Sequence, residues 1–208
     1  LLSNKTTFTG NLYAGYTEDG NATDNEVSLS DVTAPQYVYA SYTTEGQAGG
    51  TVTLSNSSVT NNVYGGFTHD GVADGSKVTG TNSKVGGSVY GGQGTTGASS
   101  NTVYLDNVQV TGSVSGGYTD SGDASDNAVT LSNGTTFTGD LYAGYTENGN
   151  ATGNALTLSG ITAPGSVRAG YTLSGNASGT VTISDSTITD DVYGGYTESG
   201  TANNSSVT

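Results

Sequence analysis

Carboxylates are the residues of this chain best suited to chemistry, because it carries 18 Asp and Glu against 4 Lys and Arg and one histidine, His69. A glycosidase requires two positioned carboxylates, and a polysaccharide lyase would require clustered acids beside a basic group. The basic residues Lys5, Lys77, Lys84 and Arg168 are instead scattered along the chain. No nucleophile elbow, phosphate-binding loop or HExxH motif is present. The sequence therefore predicts no catalytic residues and a protein that is not an enzyme.

Metal binding is the second chemistry that acidic residues could support. Asp19, Gly20 and Asn21 lie near Asp24, but this spacing matches neither an EF-hand loop nor the glycine-rich calcium nonapeptide. The chain has no cysteine, which excludes disulfides and thiolate metal sites. We therefore expect no metal site and no cofactor, and we interpret the acids as a solvated stripe. Calcium binding at these corners stays an open alternative.

An internal repeat of 25 to 27 residues organises the whole chain. An aromatic residue preceded by two small ones recurs in seven of the eight repeats, at Tyr16, Tyr42, Phe67, Tyr118, Tyr145, Tyr171 and Tyr196. Gln93 occupies this position in the remaining repeat. Four residues after each of these eight positions comes a glycine, which indicates a corner with positive φ. Residues 2–67 return, with substitutions, as residues 131–196. We interpret residues 1–208 as a single solenoid array and as a fragment of a longer protein.

Each repeat contains three short patches of alternating apolar residues, a pattern that predicts strands with one buried face. The first patch begins at Leu12 and is expected to bury Leu12, Ala14 and Tyr16. The second contains pairs such as Val52 and Leu54. The third lies around Val32, Val59, Val85, Val108, Phe137, Ile161 and Ile188. Three strands separated by glycine or Asn/Asp corners in about 26 residues predict an all-β fold, a parallel β-helix (β-solenoid) of about eight turns.

Tyrosines alternate with the buried residues of the first patch and are expected to point outward. They form the candidate face for ligand binding or self-association: Tyr13, Tyr39, Tyr64, Tyr90, Tyr142 and Tyr193. Ser115 and Arg168 occupy this place in the other two turns, and the next outward position is small, as at Gly15 and Ser41. A phenol ridge beside a shallow groove suits stacking on sugar rings or packing against another rod. Stacking of identical aromatics can also be purely structural.

Asparagine recurs two residues before the first buried position of the second strand, at Asn25, Asn101, Asn127 and Asn154. These side chains are expected to form a partial amide ladder between turns.

The net charge of −14 makes the long-range field of the protein strongly negative. Such a field repels phosphate backbones and anionic lipid surfaces. We therefore expect no nucleic-acid partner.

Two tandem units, residues 12–17 (LYAGYT) and residues 192–200 (VYGGYTESG), carry a resemblance to a known family. They resemble the repeats of large autotransporter (type V secreted) adhesin passengers of Gram-negative bacteria, and the resemblance extends over the whole chain. It implies a right-handed β-helix, and a parent protein with a signal peptide and a C-terminal outer-membrane β-barrel anchor outside this chain. It transfers no individual binding residue.

The resemblance and the tyrosine pattern lead to one hypothesis with two alternatives. We expect an extracellular adhesin passenger or stalk on the bacterial cell surface, acting in virulence by adhesion or in cell–cell aggregation. Its partner would be a host glycan or matrix protein, or another copy of itself. One alternative is a β-helical protein that binds or degrades polysaccharide. A minor alternative is an ice-binding solenoid, although Glu26, Lys77 and Tyr104 interrupt the threonine columns that this function requires.

Overall fold

The computed structural model describes residues 1–3, 5–33 and 36–208. Within these ranges the chain forms strands, turns and irregular segments, with no helix. The strands, numbered β1 to β21 in chain order, pair in parallel with the equivalent strands of the neighbouring repeats. The chain is therefore a parallel β-solenoid, which confirms the predicted fold class. The right hand of the coil and the number of turns stay predictions.

Two parallel sheets of eight strands each form the larger faces of the solenoid. The first sheet contains β1 (Leu12–Asp19), β3 (Val38–Glu45), β6 (Val63–Asp70), β9 (Val89–Gly94), β12 (Val114–Ser121), β14 (Leu141–Asn148), β17 (Val167–Ser174) and β20 (Val192–Ser199). The second sheet contains β2 (Ala22–Ser30), β4 (Ala48–Ser55), β7 (Lys77–Thr81), β10 (Thr102–Asp106), β13 (Ala128–Ser132), β15 (Ala151–Ser159), β18 (Ala177–Ser184) and β21 (Ser206–Val207). The narrow third face contains β5 (Ser58–Val59), β8 (Lys84–Val85), β11 (Gln109–Val110), β16 (Thr162–Ala163) and β19 (Thr187–Ile188).

Apolar side chains stack in columns inside the coil because each strand pairs residue for residue with the next repeat. In the second sheet Leu29 pairs with Leu54, and Leu54 pairs with Gly80. Gly80 interrupts this column, yet Leu105 and Val108 approach within 3.0 and 3.1 Å of where its Cβ would stand. Neighbouring side chains therefore fill the space, and one apolar core runs along the solenoid. Burial of each such leucine stabilises the fold by about 1.5 to 3 kcal/mol.

The third face contributes two buried columns rather than the one that the sequence pattern predicts. Val59 and Val85 belong to one column, and Val110 continues it. Val108 belongs to a second column, in which Ser57 also lies. The Ser57 hydroxyl is buried and accepts a hydrogen bond from the backbone N–H of Val32 at 3.1 Å. Small hydroxyls thus satisfy the backbone where the chain turns.

The predicted amide ladder is present in three consecutive turns. The amide oxygen of Asn127 accepts from the backbone N–H of Asn101, and that of Asn154 accepts from the N–H of Asn127, both at 2.9 Å. Their Nδ2 groups donate to backbone carbonyls of the earlier turn at 2.8 to 2.9 Å. Asn25 lies apart from this ladder and donates to Ser41 Oγ at 3.1 Å. The ladder therefore satisfies buried polar groups inside an otherwise apolar core.

Corners after the second strand are formed by Asn and Asp in the left-handed region. Their φ angles lie between 48° and 55°, at Asp31, Asn56, Asn82, Asn107, Asn133 and Asp185. These residue types tolerate the left-handed region better than other non-glycine residues. This confirms the corners that the sequence predicts.

Glycine recurs at the other corner for two reasons, only one of which was predicted. Positive φ occurs at Gly20, Gly46, Gly122, Gly175 and Gly200. It is absent at the equivalent Gly71, Gly97 and Gly149, so the prediction of positive φ in every turn is wrong. A Cβ on Gly149 would instead collide with the carbonyl oxygen of Gly122 in the turn below. The corners stack so closely that a side chain is excluded.

We expect Gly149→Ala to lower the free energy of unfolding by about 1 to 3 kcal/mol. The new methyl group would overlap a backbone carbonyl, and the hydrogen bonds between turns hold that carbonyl in place. Gly10→Ala is the matched control, since its nearest neighbour, Phe8 Cε1, would lie at an ordinary 3.7 Å. Urea unfolding followed by circular dichroism measures both variants. Equal stability of the two variants would contradict close corner stacking.

Candidate functional site

The first sheet bends once in every turn, and this bend decides which side chains reach its outer surface. Tyr13 pairs with Tyr39 and Gly15 pairs with Ser41, while the ladder skips Ala40 between them. Ala40 and Ser41 are consecutive, yet both are fully buried. The inward and outward alternation therefore changes phase at this point.

The phase change corrects two predictions about this sheet. The small position after the bend does not form an outward groove, because a Cβ on Gly144 would collide with the buried Asn154 side chain. Ser41 likewise faces the interior and donates to the carbonyl oxygen of Gly49 at 2.8 Å. The aromatic position predicted to face inward lies outside, with Tyr16 57% exposed. Two consecutive buried small residues place aromatic residues three positions apart on the same side.

Two columns of aromatic rings consequently cover the outside of the first sheet, and we call them together the tyrosine face. The first column contains Tyr13, Tyr39, Tyr64, Tyr90, Tyr142 and Tyr193. The second column contains Tyr16, Tyr42, Phe67, Tyr118, Tyr145, Tyr171 and Tyr196. Rings within a column are stacked, with centroids 4.8 Å apart for Tyr39 and Tyr64. Rings in different columns meet edge to face, at 5.4 Å for Tyr39 and Tyr42. Both arrangements are favourable for aromatic pairs.

First-column rings that are stacked on both sides are the most buried. Tyr39 and Tyr64 are only 9% and 6% exposed, whereas Tyr13 is 37% exposed. Tyr90, Tyr142 and Tyr193 are half-buried. The tyrosines proposed from the sequence therefore lie on the outer side of the sheet as expected. Much of what a partner could touch, however, belongs to the second column.

Burial raises the pKa of three phenols in the first column. Desolvation raises the pKa of Tyr64 to about 12, although a hydrogen bond of 2.7 Å from Asn62 Nδ2 to its hydroxyl opposes the shift. Desolvation also raises the pKa of Tyr39, and at Tyr142 the nearby Asp140 adds to the same rise in pKa. These phenols are uncharged at physiological pH and offer aromatic carbon together with hydroxyl groups.

Arg168 takes one tyrosine place in the first column and continues the stack with its guanidinium. Its Cζ atom lies 5.7 Å from the ring centroids of both Tyr142 and Tyr193. It also lies 5.3 Å from the ring of Tyr171 and 5.7 Å from that of Tyr196 in the second column. At this range a cation is attracted to each ring face, by roughly 0.5 to 2 kcal/mol.

Ser115 takes the other tyrosine place and leaves it empty. Its side chain is buried, and its hydroxyl donates to the carbonyl oxygen of Gly117 at 3.0 Å. The result is an open notch of about 240 Å³ in the tyrosine face. It is lined by Tyr90, Ser113, Ser115, Tyr118, Asp140, Tyr142 and Tyr145. The sequence shows the missing tyrosine but not the side chains that surround the gap.

The acidic residues at the ends of the first-sheet strands do not come together. Glu18, Glu45, Asp70, Asp120 and Glu198 are exposed, and Glu147 is half-buried. In the described ranges, no group of three or more His, Asp or Glu side chains is close enough to hold a metal ion. The acids therefore form a charged border beside the tyrosine face.

Strand register also places the threonines of the second sheet. Lys77 pairs with Thr51 and Thr102, and Tyr104 pairs with Thr79 and Thr130. Two bulky or charged side chains thus stand within the outward threonine columns. These interruptions break the flat, regular surface that binding to ice would require.

Comparison with protein-family models, with curated proteins and with solved structures finds no match to this chain. No helix in the described part of the chain is long and apolar enough to cross a membrane.

The sequence contained a signal for the missed second column. Every turn has two consecutive small residues between its aromatic positions, such as Ala40 and Ser41 or Gly116 and Gly117. Strict alternation would place only one member of each pair inside. Smallness at both positions in every turn is better explained when both face the crowded interior.

Proposed function

We propose that this chain is an extracellular adhesive or stalk segment of a bacterial cell-surface protein, and that it makes contact through the tyrosine face. The continuity of the second column carries this proposal. Its rings stack from Tyr16 to Phe67 and from Tyr118 to Tyr196, with centroids 4.6 to 5.3 Å apart. Gln93 occupies the column position between these two runs, and it is the one non-aromatic residue among the eight positions of the column.

A repeated aromatic surface on a regular rod suits weak contacts that act together. Each tyrosine ring offers apolar area and a hydroxyl that can donate a hydrogen bond, and both suit contact with sugar rings and with other tyrosines. The backbone ladder already holds the rings in place, so little side-chain entropy is lost on binding. Several modest contacts made by one rigid body then multiply into useful avidity. Suitable partners are a host glycan, a matrix protein or the tyrosine face of another copy.

Charge sets a condition on contact between two copies. The chain has a net charge of −14, and its acidic border lies beside the tyrosine face. Repulsion between two such borders is screened as the Debye length falls from about 10 Å at 0.1 M salt to about 3 Å at 1 M salt. Lateral self-association is therefore expected to strengthen with salt.

We expect the triple variant Tyr16→Ser, Tyr171→Ser and Tyr196→Ser to weaken lateral association and glycan binding about tenfold or more, because aromatic anchors carry most contact energy. These side chains are exposed or half-buried, so their removal spares the core. Tyr104→Ser is the control, since this ring is 40% exposed but lies on the second sheet. Analytical ultracentrifugation at low and high salt, beside a glycan and matrix-protein binding screen, measures both variants.

Unchanged association and binding in the triple variant would contradict contact through the tyrosine face. Association through the ends of the rod is distinguished by the same variants. β1 pairs along only one edge, so end-to-end contact would survive loss of the exposed tyrosines. A wild-type chain that binds neither glycan, matrix protein nor itself would reject the adhesive role.

Polysaccharide binding is the second candidate function, because sugar rings stack on the same exposed phenols. Soluble polysaccharides in the same screen separate it from adhesion to cells. Saturable binding of a soluble polymer, with no adhesion and no self-association, would favour this alternative.

A further inference from the structure

The Ser115 notch is a gap of one ring in an otherwise filled column. Tyr90 forms one wall and Tyr142 the other, two turns apart. Two turn spacings amount to roughly 10 Å between the wall rings. This distance accommodates one flat group, as the stacked rings of Tyr64 and Tyr90, with centroids 5.1 Å apart, illustrate one turn below.

The same column shows what else such a gap can hold. One turn beyond Tyr142, the guanidinium of Arg168 fills the equivalent place between the rings of Tyr142 and Tyr193. Its side chain is only 19% exposed, so the face packs closely around a planar cation. Arg168 is thus a template, within this chain, for a guanidinium held between tyrosine rings.

The notch also has an anion at its rim. The Asp140 side chain is 51% exposed and lines the notch. Its Oδ1 lies 3.9 Å from Arg168 Nη1, which is too far for a hydrogen bond. A carboxylate has about four acceptor positions. Beside the Tyr142 hydroxyl and Arg168, Asp140 can therefore still accept hydrogen bonds from a group placed between Tyr90 and Tyr142. None of the described residues that line the notch is basic.

We propose that the Ser115 notch binds the guanidinium group of an arginine side chain presented by a partner protein or peptide. Tyr90 and Tyr142 hold its two faces, the rings of Tyr118 and Tyr145 surround its edge, and Asp140 accepts its N–H groups. A planar cation can stack on both rings and also bring charge-assisted N–H donors to the carboxylate, whereas a hexose or a phenol brings no charge to it. The site does not depend on the adhesion proposed above. It would remain in a chain that neither aggregates nor adheres.

Titration with a blocked Gly-Arg-Gly tripeptide tests the site, with the equivalent lysine and citrulline peptides as matched probes. Ring signals of Tyr90 and Tyr142 in nuclear magnetic resonance spectra report binding. We expect saturation with a Kd on the order of millimolar, as befits one small contact. The lysine peptide lacks the planar fork and citrulline lacks the charge, so both are expected to bind about fivefold or more weakly.

Ser115→Tyr fills the gap with the residue that the column uses elsewhere and is expected to abolish binding while the chain stays folded. Thr130→Tyr adds a ring beside Tyr104 on the second sheet and serves as the control that leaves binding unchanged. Asp140→Asn is expected to weaken binding about three- to tenfold by removing the charge. Equal binding of the citrulline peptide, retained binding in Ser115→Tyr, or no saturation by the arginine peptide would each overturn the assignment.

Discussion

Asn127→Asp is expected to cost about 3 to 5 kcal/mol of the free energy of unfolding at neutral pH, the cost of leaving a buried charge uncompensated. Asn127 is fully enclosed, and its Nδ2 donates to the carbonyl oxygen of Ala98 at 2.9 Å and to Asn154 Oδ1 at 3.2 Å. A carboxylate oxygen in that place would face two acceptors and donate to neither. Urea unfolding followed by circular dichroism measures the loss.

The same variant has a defined pH dependence. Burial among acceptors favours the protonated acid, so the pKa of the new carboxyl group in the folded state lies above the unfolded value of about 3.9. The penalty is therefore smallest below pH 4 and grows as pH rises through the pKa of the folded state. Asn25→Asp is the matched control, because Asn25 is half-buried outside the stacked ladder. An equal and pH-independent loss in both variants would argue against the amide ladder as a stabilising element.

Alkaline unfolding is the second large effect that we expect, and it arises from the tyrosine face. Desolvation raises the pKa of Tyr64 and of Tyr145 to about 12, and it also raises the pKa of Tyr39 and Tyr142. Above pH 10 the unfolded chain releases these protons while the folded chain retains them. The folded state therefore binds more protons, and stability falls as pH rises through this range.

The size of the alkaline effect follows from the number of buried phenols. Each phenol that titrates only in the unfolded chain lowers the free energy of unfolding by up to about 1.4 kcal/mol per pH unit above pH 10. Tyr145 contributes less than this, because its ring is partly in contact with solvent. Several such groups together place the expected unfolding transition at about pH 11 to 12. Phenolate absorbance and circular dichroism, followed together against pH, measure it.

Tyr64→Phe separates this linkage from general alkaline damage. The variant keeps the stacked ring but has no proton to release, so its stability is expected to fall less steeply above pH 10 than that of the wild type. At pH 7 it loses the hydrogen bond from Asn62, an effect of about 1 kcal/mol. Coincidence of the absorbance and dichroism transitions supports buried phenols. Complete phenol ionisation well before unfolding would refute them.

The sequence by itself determined the solenoid fold, because repetition and two-residue periodicity are local properties that recur in every turn. Val52 and Leu54, for example, alternate with threonine in one short segment, and their equivalents one repeat earlier are Val27 and Leu29. Parallel pairing of like with like then follows from the repeat length. The asparagine positions and the Asn or Asp corners were predictable for the same reason.

Only the tertiary structure decided which aromatic residues share a surface. The bend at Ala40 and Ser41 buries two neighbours in succession, and a pattern based on strict alternation assigns Tyr42 to the wrong side. Closing the coil brings β4 opposite this bend, where the Ser41 hydroxyl donates to the carbonyl oxygen of Gly49. Closure is a property of the whole turn and is not encoded in any one strand.

The notch at Ser115 required the assembled solenoid for a related reason. Its walls, Tyr90 and Tyr142, lie in different turns, and Asp140 reaches the rim from outside the strands of the first sheet. Composition shows that one tyrosine is missing from a column. Whether the gap is filled by a neighbour, as at Gly80, or stays open, as at Ser115, depends on the side chains around it. Stacking distances and side-chain packing decide whether the gap stays open, and both are defined only in the assembled solenoid.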